Sequence, residues 1–272
     1  MLGRYPLGTM QGRLVAKYKG RYQAHPKGYW RNEFEVARDE GLELIEFILD
    51  HEDAAENPLL ADPNTIMRVA DDTGVQVRSI CADYFMEAPL QRDDNGHDVL
   101  ARLLDNATTM GVRDIVIPCV DQSSLATTAE AEAFVTALRP HAEKAGRVGV
   151  NLALETDLAP RPFADLLGAV GHPAVTVNYD SGNSAALGFD PAEEFAAYGA
   201  RITDIHIKDR TRGGGPVVLG EGDCEFDLVF KLIATSSFDG PIIMQAYRDD
   251  EGVAVFRRQK AWLEDRYGEA LQ

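Results

Sequence analysis

Residues 149–157 read GVNLALETD and give the clearest sign of how this 272-residue chain folds. A glycine precedes an apolar run, and the run ends on acidic residues. A glycine followed by an aliphatic residue also occurs at Gly41, Gly74 and Gly111, so that the four glycines are separated by 33, 37 and 38 residues. Apolar residues at helical spacing precede these glycines, and glycine ends helices cheaply because it adopts positive φ. The pattern predicts repeated helix–strand units.

Apolar runs continue this pattern over the whole chain, at about one run per 34 residues. The eight runs are residues 6–11, 42–47, 75–81, 115–119, 150–155, 175–180, 202–208 and 241–245. Most are apolar throughout, which is typical of parallel strands covered on both faces. Eight such units favour an α/β fold, a single closed (β/α)8 barrel over residues 1–272. A doubly wound open sheet is the alternative, but the GxGxxG turn that it favours is absent after the first run.

Two prolines make specific predictions about the helices. Asp62 and Pro63 are typical of a helix start, with Asp62 as the cap and Pro63 in the first turn. Pro140 lies inside the helical pattern of residues 128–145 and lacks a backbone N–H, so a kink or a break is expected there.

Charge and cysteine content limit the classes of function. Lys plus Arg number 27 and Asp plus Glu 44, a formal net charge of −17. Such a surface repels phosphate backbones and anionic lipids, so neither nucleic acid nor a membrane is an expected partner. Three cysteines without CxxC spacing predict no disulfide framework and fit a reducing compartment. Without a signal peptide or an apolar run of about 20 residues, the sequence predicts a cytoplasmic protein.

Polar residues end four consecutive predicted strands, where packing alone would not select them. Glu155, Asp180, His206 and Gln245 stand at comparable depth on strands about 4.8 Å apart, at the end where barrels of this kind hold their active sites. Two carboxylates, an imidazole and an amide oxygen favour one divalent ion, Mn²⁺ or Mg²⁺ before Co²⁺ or Zn²⁺. For each residue alone the alternative is structural: a helix cap, an ion pair or a hydrogen-bonded core histidine.

Five short segments resemble the xylose-isomerase-like barrels, specifically the sugar phosphate isomerase/epimerase group. They are MQGRL at residues 10–14, LET at 154–156, YDSGN at 179–183, HIKD at 206–209 and LGEGD at 219–223. The resemblance implies a sugar isomerase or epimerase in which Glu155, Asp180 and His206 are three of four metal ligands. The fourth is usually a glutamate, which is also a catalytic carboxylate in the epimerases, and here that position is Gln245.

The amide of Gln245 cannot take up a proton, and this limits the reaction. A 1,2-isomerase can move a proton along one face of its substrate with a single base, for which Glu155 is the candidate. An epimerase needs a second group on the other face. Glu46, Asp121 and Lys208 are the candidates, with an ion pair, a helix cap and a carboxylate partner as their respective structural alternatives.

Basic and polar residues near the predicted mouth indicate how a substrate is held. The basic ones, which include Lys208, would fit a phosphate or a carboxylate group. The candidate substrate-binding residues are Gln11, Arg13, Glu46, Asp121, Asn183, Asp209, Arg210, Glu221 and Arg248. The glycine-rich loop of residues 209–226 is a candidate lid, with an irregular surface loop as the alternative.

The sequence leaves the substrate and the type of reaction open. A lyase or dehydratase acting on a keto-sugar or keto-inositol would use the same metal and the same base. A non-catalytic binding barrel is a third alternative, supported only by Gln245. An apurinic-site endonuclease is disfavoured by the single strand-end histidine and the charge of −17. The expected partner is a small-molecule carbohydrate, and the resemblance favours a homodimer or homotetramer.

Overall fold

Eight parallel strands close into a barrel in the computed structural model, which describes residues 2–249 and 252–269. The barrel strands are β1 (Leu7–Met10), β2 (Leu44–Ile48), β3 (Ser79–Cys81), β4 (Asp114–Cys119), β5 (Asn151–Thr156), β6 (Val175–Asp180), β7 (Ile202–Ile207) and β8 (Ile242–Met244). Each strand pairs with the next in sequence, and β8 closes against β1, where Ile243 pairs with Gly8. The predicted (β/α)8 barrel is confirmed, and each predicted apolar run contributes one strand.

Helices connect the strands around the barrel. They are α1 (Trp30–Asp39), α2 (Pro58–Ala61), α3 (Pro63–Thr73), α4 (Tyr84–Glu87), α5 (Asn95–Met110), α6 (Thr128–Val148), α7 (Pro160–Val170), α8 (Ser181–Leu187), α9 (Pro191–Tyr198), α10 (Phe226–Thr235) and α11 (Val253–Tyr267). Two short strands, Asp209–Arg210 and Pro216–Val217, form an antiparallel hairpin after β7. Over residues 2–249 and 252–269, no helix has the length and apolar character needed to cross a membrane.

The helix ends follow the sequence closely, with two exceptions. The repeated glycines at positions 41, 74, 111 and 149 all have φ between 70° and 77°. Helix α3 begins at Pro63 as predicted, but the side chain of Asp62 at the N-cap position makes no capping hydrogen bond and accepts one from Thr65 Oγ1 at 2.7 Å instead. Pro140 does not break α6, which continues through it. The proline removes one hydrogen bond, but buried residues on both sides of it, such as Phe134 and Ala145, pack the helix onto the barrel.

Alternation along the strands directs side chains into two different cores. Outward residues such as Ile45, Ile115 and Leu152 pack against the helices in the main apolar core. A smaller apolar cluster comprises Met10, Leu44, Ile48, Cys81, Val116, Ala153 and Ile243, which alternation places inside the barrel. Other inward positions are polar, and they are buried as well: Glu46, Ser79, Asn178, Asp204 and His206. Because burying polar groups is costly unless they are hydrogen-bonded, this interior is built for more than packing.

Candidate active site

Three of the predicted metal ligands meet where β5, β6 and β7 end. Glu155 lies near the end of β5, Asp180 is the last residue of β6 and His206 lies near the end of β7. Strand register pairs Asp180 directly with His206. One oxygen of each acid and one imidazole nitrogen all lie within 4.8 Å of one another, and all three side chains are buried. These three residues are called the triad below.

Two asparagine side chains hold both oxygens of Glu155. Asn178 donates from Nδ2 to Oε2 at 2.9 Å, and Asn183 donates from Nδ2 to Oε1 at 2.6 Å. Asn183 lies in the first turn of α8, where its backbone N–H donates to Asp180 Oδ1 at 2.8 Å. The orientation of the Glu155 carboxylate is therefore fixed by the protein, as a positioned base requires.

The second nitrogen of His206 is bound to a carboxylate deeper in the barrel. Nε2 lies 2.8 Å from Glu46 Oε1, and Ser79 Oγ donates to Glu46 Oε2 at 2.7 Å. Nδ1 faces Glu155 Oε2 at 3.5 Å. Burial alone would lower the pKa of His206, but Glu46 and Glu155 outweigh it and hold this pKa well above its usual value. A carboxylate on the far nitrogen is the usual support of a metal-binding histidine.

Another acidic group lies below the triad. Asp204, two residues before His206 on β7, has an oxygen within 4.8 Å of ligand atoms of Glu46 and His206. Neither oxygen of Asp204 has a hydrogen-bond partner in the described part of the chain. Burial raises the pKa of Asp204 well above its usual value, because the ionised form is poorly solvated there, and Glu46 adds to the effect. Asp204 lies two residues deeper in the barrel than His206, away from the strand ends where this fold holds its active sites, so we place the candidate metal site at the triad.

The triad fits a divalent cation. Carboxylate oxygens and an imidazole nitrogen are ligands that Mg²⁺, Mn²⁺ and Zn²⁺ accept. Asp180 Oδ2 is buried without a hydrogen bond to any described residue, and Lys208 Nζ lies 3.6 Å from it. Ligand atoms about 2.1 Å from one ion lie at most about 4.2 Å apart. The triad atoms, which lie within 4.8 Å of one another, would therefore come closer together when an ion binds.

Gln245, the fourth predicted ligand, directly follows β8 and binds other side chains. Its Nε2 donates to Gln23 Oε1 at 2.9 Å and lies 3.4 Å from Met10 Sδ. Its Oε1 is buried and has no hydrogen-bond partner among the described residues. The one atom of this side chain that could bind a cation is thus free of hydrogen bonds, while the amide nitrogen anchors the side chain.

Gln23 and Asp83 were missed by the sequence analysis. Gln23 donates from Nε2 to Asp83 Oδ2 at 3.0 Å and accepts a hydrogen bond from Arg13 at 3.1 Å. Burial raises the pKa of Asp83 to about 6, against hydrogen bonds from Gln23 and Cys81. Asp83 follows Cys81, the end of β3, by two residues, and an acidic residue at a strand end could have been predicted as a site residue from the sequence. Gln23 lies in the long β1–α1 loop, where no sequence pattern predicts a functional position.

A buried glutamate fixes that β1–α1 loop. Glu33 on α1 accepts the backbone N–H groups of Gly12 and Leu14, both at 2.9 Å. Gly12 has φ +88°, and a side chain there would overlap the Tyr22 carbonyl. Burial raises the pKa of Glu33 to about 7. The loop that carries Arg13 therefore depends on one internal carboxyl group.

Arg13 lies in the β1–α1 loop, where its Nη2 donates to Gln23 Oε1 at 3.1 Å. Burial lowers its pKa to about 10, while the nearby charges of Asp83 and Asp180 act in the opposite direction. Arg13 is thus within electrostatic reach of a triad residue and of the Gln23–Asp83 pair.

The predicted residues after β7 mainly order the glycine-rich loop. Asp209 Oδ2 accepts the N–H groups of Gly220 and Gly222, both at 2.9 Å, and the Asp209 side chain is fully buried. Arg210 donates to Asn183 Oδ1 at 2.9 Å and so contacts a residue that holds Glu155. Glu221 is exposed.

The other predicted residues lie in the loops and strand ends around the mouth. Gln11 Oε1 accepts the N–H of Ile48 at 3.1 Å. The Arg248 guanidinium lies over the Tyr22 ring, 4.8 Å from its centre. Asp121 is exposed at the start of the short 3₁₀ helix Asp121–Ser123 after β4. None of these contacts involves a triad residue.

Together the fold and the site define a closed (β/α)8 barrel with a candidate divalent-metal centre at the carboxyl ends of its strands. The family model of the xylose isomerase-like TIM barrel matches residues 34–266. The chain belongs to that family.

Named relatives and solved structures agree with this assignment. The chain is 25% identical over 263 residues to L-ribulose-5-phosphate 3-epimerase UlaE of Escherichia coli (strain K12 / DH10B), which covers 89% of this chain and 91% of the relative. A xylose isomerase-like TIM barrel protein from Mycobacterium smegmatis in complex with magnesium superimposes with a TM-score of 0.74 at 20% identity, covering 100% of both chains. The IolI protein with a bound zinc atom gives a TM-score of 0.73 at 16% identity, covering 96% of this chain and 99% of the other.

Proposed function

We propose that this protein is a divalent-metal-dependent isomerase or epimerase that acts on a sugar or sugar phosphate through an enediolate, with Glu155 as the base. The observation that carries the proposal is the triad, whose ligand atoms lie within 4.8 Å of one another at the end of the barrel where this fold holds its active sites. The name of the sequence relative UlaE supports the sugar epimerase or isomerase class.

The chemistry follows from the groups around Glu155. Removing a proton beside a carbonyl leaves charge on oxygen, and a divalent cation held by the triad would supply the electrophile that stabilises it. Glu155 takes the proton, with its oxygens already oriented by Asn178 and Asn183. Lys208 Nζ lies 3.6 Å from Asp180 Oδ2 and so places a positive charge beside the triad.

The donor set favours Mn²⁺ or Mg²⁺, with Co²⁺ and Zn²⁺ as alternatives. The magnesium in the Mycobacterium smegmatis protein and the zinc in IolI support a divalent ion in this fold without selecting one. Gln245 Oε1 would complete the coordination as a neutral ligand, or bind substrate, without moving a proton.

A phosphorylated substrate is supported by the relative named for L-ribulose 5-phosphate and by the basic side chains at the mouth, Arg13, Lys208, Arg210 and Arg248. The cytoplasmic location and the dimeric or tetrameric state stay predictions.

The test is conversion of L-ribulose 5-phosphate and of L-ribulose by the purified protein with Mn²⁺, followed by NMR. The proposal predicts an aldose or a C3 epimer as product, loss of conversion with EDTA, and recovery when Mn²⁺ is restored. Asp180→Ala should abolish conversion, whereas Glu87→Gln, an exposed charge after β3, should not. A dehydrated product would assign the lyase alternative, and no conversion of either sugar would contradict the proposal.

A further inference from the structure

We infer that Asp83 is the second proton-transfer group of this site, and that the reaction is therefore the epimerisation of a ketose at the carbon beside its carbonyl. The inference rests on the proposed function and extends it by naming the residue that replaces the carboxylate missing at position 245.

Asp83 belongs to a line of side chains along one side of the mouth. Gln245 donates to Gln23 at 2.9 Å, and Gln23 donates to Asp83 at 3.0 Å. This line connects the ends of β8 and β3, which are separated in the barrel by β1 and β2. The triad comes from β5, β6 and β7, on the other side of the barrel. A substrate carbon held between them would have Glu155 toward one face and Asp83 toward the other.

Charged residues on both sides influence the pKa of the same two side chains, Arg13 and Cys81. Arg13 feels the charges of Asp83 and Asp180 together. Cys81, at the end of β3, feels those of Asp83 and Glu155 together. Arg13 also donates from Nη2 to Gln23 Oε1 at 3.1 Å, so it is placed to contact a substrate held between the triad and Asp83.

Asp83 is also equipped to hold and release a proton. Its Oδ1 accepts a hydrogen bond from Cys81 Sγ at 3.2 Å and its Oδ2 accepts one from Gln23, which leaves lone pairs on both oxygens. Its pKa is raised by burial to about 6, nearer to neutral pH, where a general acid or base is most effective.

The three other candidates are less suited to this role. Glu46 is fully buried below the triad, on the far nitrogen of His206 and away from the mouth where a substrate would bind. Asp121 is exposed after β4. Lys208 lies beside Asp180, on the same side as Glu155.

The proton balance of the step is simple. One carboxylate removes the C–H proton, and the electron pair of that bond forms the enediolate. The other carboxyl group, already protonated, delivers its proton to the opposite face of the same carbon, where the enediolate electrons form the new C–H bond. One acid ends protonated and the other ionised, and exchange with water restores both.

The test follows C3–H exchange and epimer formation in D₂O, starting separately from L-ribulose 5-phosphate and from its C3 epimer. Asp83→Asn and Glu155→Gln should each slow epimer formation at least about 100-fold. With one starting sugar, Asp83→Asn should keep exchange while Glu155→Gln abolishes it. With the opposite epimer, Glu155→Gln should keep C3–H exchange while Asp83→Asn abolishes it. A structural defect would lower exchange equally from both sugars.

Further measurements keep the outcomes distinct. Asp83→Glu should recover part of the turnover, Glu87→Gln should resemble the wild type, and the Mn²⁺ content of Asp83→Asn should be unchanged. In the metal-free protein, the infrared difference between pH 5 and pH 8 should lose one carboxylic acid band in Asp83→Asn.

Wild-type epimerisation that persists in Asp83→Asn would overturn the inference alone. No exchange by the wild type with either sugar would overturn the proposed function and the inference with it.

Discussion

On the β5–β7 side of the mouth the polar groups are carried by the strands themselves, whereas on the β8–β3 side they come mostly from loops. Strand register sets the triad side chains next to one another. On the other side, Arg13 and Gln23 belong to the β1–α1 loop, and Asp83 follows the end of β3. Their positions depend on side-chain hydrogen bonds and on Glu33, which accepts two backbone N–H groups of the β1–α1 loop.

This contrast assigns different tasks to the two sides. Metal binding and proton removal need atoms placed within a few tenths of an ångström, and strands in a packed barrel provide that precision. Recognition of a particular sugar is served by loops, which vary without disturbing the barrel. Changes on the strand side should therefore affect metal binding and proton transfer, and changes on the loop side should affect affinity or stability, except at Asp83, where proton transfer to the second face should be affected.

The largest effect is expected from Glu155→Gln. The amide cannot accept the substrate proton, so kcat for L-ribulose 5-phosphate should fall by about 10² to 10⁴-fold, while Mn²⁺ stays bound because the amide oxygen at position 155 can still coordinate it. The measurements are steady-state kinetics and elemental analysis. Asp157→Asn, a half-exposed acid two residues further on, is the matched control and should keep wild-type turnover. Full activity in Glu155→Gln would refute its role as the base.

A smaller effect is expected from Gln245→Glu, which places a negative charge at the end of β8, next to Gln23. A carboxylate attracts a cation more strongly than an amide oxygen does, so Mn²⁺ affinity in calorimetry should rise by about 10-fold, or about 1.4 kcal/mol. Turnover should fall, because the new carboxylate cannot donate to Gln23 as the Gln245 amide does. Gln122→Glu adds the same charge at an exposed position after β4 and should change neither quantity. Unchanged affinity in Gln245→Glu would place Gln245 outside the metal site.

The smallest effect is expected from Glu33→Gln, which tests how far the β1–α1 loop depends on the hydrogen bonds that the Glu33 carboxyl group accepts. The amide keeps one acceptor oxygen for two backbone N–H groups, so below about pH 4.5, where the Glu33 carboxyl is protonated, the free energy of unfolding should drop by about 1 kcal/mol. Glu35→Gln, an exposed position on α1, is the control. An unaltered stability would show that the loop does not need the carboxyl group.

The same residue predicts a pH dependence of stability. Burial raises the pKa of Glu33 from 4.5 to about 7, so the folded protein holds this proton more tightly than the unfolded chain. The resulting stabilisation is complete below about pH 4.5 and is lost as the pH rises toward about 7. In chemical denaturation, Glu33→Gln should lose stability less steeply over this interval than the wild type. An identical slope in both proteins would contradict the raised pKa.

Much of the strand side was predictable because its signals are local and periodic. Continuous apolar runs indicated the strands, and a polar residue such as Glu155 or His206 at the end of a run indicated an inward functional position. Of the kink or break expected at Pro140, the break does not occur, because packing along the rest of α6 outweighs one lost hydrogen bond.

The loop side could not be predicted in the same way. Gln23 has no periodic neighbours, and its contacts with Asp83 and Gln245 span 60 and 222 residues of sequence. The hydrogen bond between Glu46 and His206 joins residues 160 positions apart. Such contacts follow from the closed barrel and the loop conformation, neither of which a linear pattern specifies residue by residue.

Mn²⁺ binding to the metal-free protein tests the central claim most directly, because it needs no knowledge of the substrate. Equilibrium dialysis should give one ion per wild-type chain. Asp180→Ala and His206→Ala should each weaken binding by at least about 100-fold, while circular dichroism shows a folded barrel. Wild-type affinity and stoichiometry in both variants would contradict the account, because the triad would then not be the metal site.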